Sequence, residues 1–256
     1  MFFNRFLPII IAVSHLALLE LILFFPKMLF VIIVFLILLD FFVIRQFLIV
    51  SKRDEKWWCF IILPLVFSLG LIIFSTLLPF NPLVQVFFLI NSLFNYVYFS
   101  TIYYYLINPK KYQANSLENI SSYGNFLGFY FIASSIYGLQ VFLNIEIWRL
   151  IIFLLFVTIA IVYEVFWVNQ VDNQARFFYI LVLSLMIVEL AWAISFMTLN
   201  YYVLGLILAI FYYTIIGLTR FYLLGTLNAR IIKAYLSLGI ASVILVLFTA
   251  NWISYN

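Results

Sequence analysis

Apolar residues run along this chain in long, nearly unbroken stretches, parted by short clusters of proline, asparagine and charge. A bilayer core about 30 Å thick needs about 20 residues of helix at 1.5 Å rise each. Stretches of that order fall at roughly 6–25, 28–45, 57–79, 83–107, 123–144, 148–169, 177–198, 201–219 and 235–252, which predicts nine spans. Each break has a physical cause. Phe25-Pro26-Lys27 joins the first two spans, and 45–56 (RQFLIVSKRDEK) reads as a charged turn. Pro79-Phe80-Asn81-Pro82 reads as a hairpin, because each proline restricts its predecessor and lacks an N–H. Residues 108–122 form the only long polar stretch, and 144–146, 171–176 and Leu199-Asn200 supply the next three breaks. The mixed stretch 220–234 (RFYLLGTLNARIIKA) reads as an amphipathic linker on the membrane surface.

Composition turns this pattern into a fold class. Of 256 residues, 68% are hydrophobic and 9% charged, against about 45–50% and about 25% in a soluble domain. No soluble fold of this length can cover so much apolar surface. The expectation is an all-α polytopic transmembrane helical bundle in one integral membrane domain, 1–256. Its first span reads as an uncleaved anchor, since no small-x-small cleavage site follows it.

Charge adds orientation. With the N-terminus and every second loop on one side, that side holds Arg5, Arg45, Lys52, Arg53, Lys56, Lys110, Lys111, Arg176, Arg220, Arg230 and Lys233, and the other only Lys27 and Arg149. Basic loops stay cytoplasmic, so the N-terminus is expected inside and the C-terminus outside a cell membrane, taken as a prokaryotic plasma membrane. Trp57, Trp58, Trp148, Trp167 and Trp252 lie near predicted span ends, where indoles favour headgroups. The net charge of +4 is therefore topological and implies no nucleic-acid partner. Asn119-Ile120-Ser121 matches a glycosylation sequon but falls in a predicted cytoplasmic loop, so it is read as a chance match.

An offset near 120 residues lays spans five to eight over spans one to four, placing Asp40 over Glu164. This predicts a parallel 4+4 repeat, units 1–110 and 123–222, with 235–252 appended.

Candidate chemistry lies where a bilayer makes polarity costly. His15, Glu20, Asp40, Glu164 and Glu189 fall inside predicted spans, each at about 2.5–3.5 kcal/mol if placed at a helix centre. Counted from the cytoplasmic end of each predicted span, Asp40 and Glu164 lie about 8 Å deep and Glu20 and Glu189 about 18–21 Å deep, with His15 between. Two acidic layers bracketing an imidazole can relay protons or bind cations. Plainer roles compete: Asp40 can reach Arg45, Glu164 can be part-solvated, and the other acids can be protonated and hydrogen-bonded. Asn91 and Asn95 lie one turn apart, with Tyr98 and Tyr105 along the same side, as helix–helix glue or the lining of a polar path. Gly124, Gly128, Ser135 and Gly138 share a face of the fifth span and read as a close-packing seam.

Absences narrow the chemistry. No phosphate-binding GxxxxGK[ST] loop, HExxH motif or Asp-x-x-Asp pair is present, and Cys59 and His15 are the only residues of their types. No metal or other cofactor is expected, and a non-enzyme is the better reading. The leading expectation is a small secondary transporter with intramembrane carboxylates. The alternatives are a non-catalytic subunit scaffolding a larger membrane complex, or a membrane-embedded lipid-modifying enzyme. The lipid bilayer is the one partner implied directly, with other membrane subunits or a homo-oligomer beyond it.

Overall fold

The computed structural model describes residues 2–52, 55–79, 81–171 and 176–250, with backbone only for Phe2, Phe3 and Asn81. Arg53, Phe80 and Trp252, named above, lie outside the described residues, as does 172–175 of the sixth predicted break. The described residues form α1 (Phe2–Phe24), α2 (Leu29–Ser51), α3 (Trp57–Thr76), α4 (Asn81–Leu106), α5 (Ser116–Leu143), α6 (Ile147–Val168), α7 (Arg176–Ile194), α8 (Tyr201–Leu223) and α9 (Ala229–Thr249). All nine are long and apolar enough to cross a bilayer. The chain is thus an all-α polytopic helical bundle. Helix is the expected solution because lipid offers no partner for an open backbone N–H or C=O.

Three predicted boundaries move. The second span does not stop at Arg45: α2 continues through the apolar Phe47-Leu48-Ile49-Val50 and ends where Lys52 turns left-handed at φ 53°. The second half of the polar stretch 108–122 is helix, since α5 starts at Ser116. Tyr112 supports that start. Its hydroxyl accepts from the Leu117 N–H at 3.1 Å and donates to Glu118 Oε2 at 3.4 Å. Burial pushes this phenol above its ordinary value, so the hydroxyl keeps its proton at neutral pH. The surface linker expected over 220–234 is reduced to a short turn. Instead α8 runs to Leu223, and Thr226 N–H to Phe221 O with Gly225 N–H to Tyr222 O closes it, Gly225 taking φ 68°. Asn228 then caps α9 by accepting from the Ile231 N–H at 2.9 Å.

The chain divides into two compact units, residues 1–125 and 126–256, with the boundary inside α5. In the first unit α1 packs on α2 and α4, α2 on α3, and α3 on α4. Phe67 stacks on Phe94 at 3.9 Å, and Phe94 on Tyr98. Pro64, inside α3, has no N–H to offer the Phe60 carbonyl one turn back. The buried Tyr98 of α4 donates to that carbonyl at 2.8 Å. One proline thus turns a broken helical bond into an interhelical one.

In the second unit α6 packs on α7, α7 on α8, and α8 on α9. α5 and α8 come close where Ser134 faces Gly205. A Cβ added at Gly205 would collide with the Ser134 hydroxyl and lie 2.6 Å from Ser134 N. Phe129 stacks on Tyr212 at 4.2 Å beside that crossing. On α9 no described residue is buried. Its contact with α8 runs through Tyr235 over Gly217 and Gly239 over Thr214.

Candidate functional site

The extension of α2 changes the depth of its acid. Asp40 is the twelfth of 23 residues in α2, at the middle of the helix and not near its end. His15 is the fourteenth of 23 in α1, also near mid-helix. The two helices pack together, and the side chains meet: His15 Nε2 lies 3.0 Å from Asp40 Oδ1, with His15 0% and Asp40 2% exposed. Arg45, the partner considered for Asp40 on sequence grounds, instead sits over the Phe41 ring at 5.8 Å.

With Asp40 ionised and His15 neutral, the Nε2–H donates to Oδ1 and Nδ1 carries the lone pair. His15 Nδ1 is buried and has no hydrogen-bond partner among the described residues. A proton placed there would give the pair a second charge state. The two states carry net charges of −1 and 0, so a single proton transfer converts an ionic site into a neutral one at mid-helix depth.

A second polar cluster joins α3 to α4 in the same unit. Ser68 Oγ donates to Asn91 Oδ1 at 2.9 Å, and Asn95 Nδ2 donates to the Asn91 carbonyl at 2.9 Å and reaches Ser68 Oγ at 3.5 Å. Both amides are fully buried. The Asn91 Nδ2 donor and the Asn95 Oδ1 acceptor have no partner among the described residues. Such groups are costly when buried unpaired; the two leave an amide nitrogen and an amide oxygen unsatisfied by the described protein groups. Next in sequence to Asn91, Ser92 Oγ donates to the Ala12 carbonyl of α1 at 2.7 Å, one turn from His15.

Comparison of the chain with family models, curated proteins and solved structures returns no match. The site is therefore read from its own chemistry.

Glu20 is half-buried, the nineteenth of 23 residues in α1, so it sits about 6 Å from the helix end and not at mid-depth. Glu164 is fully buried near the end of α6, close enough to the Tyr212 phenol to act on it electrostatically. Glu189 is exposed on α7, along a stripe with Leu185 and Trp192. Among the described residues no group of three or more His, Cys, Asp and Glu side chains can hold a metal ion. Of the four seam residues, Gly124 packs against α4: a Cβ there would lie 2.6 Å from the Phe94 ring. Gly128, Ser135 and Gly138 are buried, and the Ser135 hydroxyl bonds back to the Phe131 carbonyl at 2.7 Å.

Sequence reasoning missed Ser68, Ser134 and Gly205. A serine in an apolar helix usually returns its hydroxyl to the preceding turn, as Ser75 does to the Ile72 carbonyl at 2.7 Å. Nothing in the α3 sequence marks Ser68 as the exception.

Proposed function

We propose that the protein is a small secondary transporter in which the His15–Asp40 pair carries the coupling proton. The observation that carries this reading is the fully buried 3.0 Å contact with an open Nδ1. Titratable groups are rarely kept at such depth unless they serve an ion or substrate path. Loading one proton neutralises the pair and removes an electrostatic obstacle to moving it across a low-dielectric layer. The open donor and acceptor of Asn91 and Asn95 supply contacts for a small, uncharged polar solute. In this reading both the solute contacts and the coupling proton belong to the same unit, α1 to α4.

Reconstituted vesicles test it. With a pH-sensitive dye inside and a panel of neutral amino acids, sugars and polyols outside, the wild type is expected to acidify the lumen only with a transported solute. Asp40→Asn is expected to lower that coupled signal at least tenfold. Equal solute-dependent acidification in the variant would remove the pair from the mechanism.

The same reading places the chain in a cell membrane with its N-terminus cytoplasmic, supported by the basic ends of α1, α2, α4 and α8. A fluorescent reporter that folds only in the cytoplasm, fused after Asn256, is expected to stay dark; bright cells would reverse the assignment.

A further inference from the structure

A cavity of about 380 Å³ lies along the seam of α1 and α4, lined by Arg5, Phe6, Pro8 and Ile9 from one helix and Tyr96, Ser100, Tyr103 and Tyr104 from the other. It shares no residue with the His15–Asp40 pair or the Asn91–Asn95 cluster. Arg5 is the fourth residue of α1, and Tyr103 and Tyr104 fall in the last turn of α4. The mouth therefore sits at the ends of two spans, where headgroups lie. Tyr96 lies two turns deeper, about 12 Å along α4, facing the level of Ile9. At the mouth a guanidinium meets phenol and serine hydroxyls; towards Ile9 the wall becomes apolar. The lining contains no acidic side chain.

That lining has the chemistry of an anionic amphiphile. A guanidinium presents a planar fork that matches phosphate oxygens, and hydroxyls complete the donor set. Phe6, Ile9 and Tyr96 are exposed, so the groove opens sideways, the direction from which an acyl chain arrives. A free inorganic anion would use only the mouth and gain nothing from Phe6, Pro8 and Ile9. We infer that the α1–α4 groove binds a phospholipid of net negative charge, its phosphate on Arg5 and the tyrosine and serine hydroxyls, its first acyl carbons along Phe6 and Ile9.

The test is native mass spectrometry of the full chain released from detergent, titrated with phosphatidylglycerol, phosphatidylcholine or inorganic phosphate. Wild type is expected to retain one phosphatidylglycerol about tenfold more tightly than phosphatidylcholine. Arg5→Gln is expected to reduce that preference to near unity, and Tyr104→Phe to weaken retention about threefold with the ring still in place. Thermal unfolding run in parallel separates lost binding from lost fold, and Ser100→Ala, on the opposite helix, gives an independent reading if Arg5→Gln fails to fold. Equal phosphatidylglycerol retention in wild type, Arg5→Gln and Ser100→Ala would overturn the assignment. So would inorganic phosphate displacing the lipid at equal concentration, which would make the groove a free-anion site.

Discussion

Asp40→Leu is expected to lower the unfolding free energy by about 3 kcal/mol, and adding His15→Phe to the same chain is expected to restore most of it. Removing one member of a buried pair strands the other: His15 would keep a buried Nε2 with no carboxylate opposite, a loss typically of about 3–5 kcal/mol. Replacing both members by apolar residues of similar volume removes the stranded group, and such exchanges are often neutral or stabilising by about 1–4 kcal/mol. The double variant should therefore unfold within about 1 kcal/mol of wild type in detergent while losing coupled proton movement. This separates the two roles the pair can have. A structural pair would lose nothing but stability, and the double variant would then behave as wild type in every transport measurement.

The second large effect is expected at Gly205. Even alanine places a Cβ 2.6 Å from Ser134 N and 2.7 Å from Ser134 Cα, so α5 and α8 must separate to admit it. Over-packing of this kind costs about 1–3 kcal/mol or more, and Gly205→Ala should lie at the upper end because the obstacle is backbone. Removing the hydroxyl should not rescue it: Gly205→Ala with Ser134→Ala is expected to unfold much as Gly205→Ala alone. Recovery in the double variant would mean that the side chain, not the backbone, sets the spacing of the two helices. Unfolding in mixed micelles reads both variants.

Which residues carry polarity in the bilayer was legible, because each is costly there and few are present. Which of them meet was not. Arg45-Gln46 looked like the end of a span, yet Phe47 to Val50 continue the helix, and those extra turns move Asp40 from near the headgroups to the level of His15. A boundary error of six residues hid the pair. The Asn91–Asn95 stripe could be read from its four-residue spacing, but the serine that joins it to α3 could not, since its hydroxyl had a local alternative. Among the glycines, a spaced series in the fifth span drew notice, whereas a backbone-close contact belongs to Gly205, one glycine among leucines and isoleucines. Its importance depends on what crosses it, and that is a property of packing, not of local sequence.

His15 is the only histidine in the chain, so ring-labelling with nitrogen-15 yields one pair of imidazole signals with no assignment problem. Measured in lipid nanodiscs across a pH series, wild type is expected to show Nε2 protonated and hydrogen-bonded throughout. Asp40→Leu, which leaves no acceptor opposite the ring, should abolish the hydrogen-bond shift at Nε2. Ring nitrogens whose signals are the same in wild type and Asp40→Leu at every pH would contradict the pair, and with it the site on which the account stands.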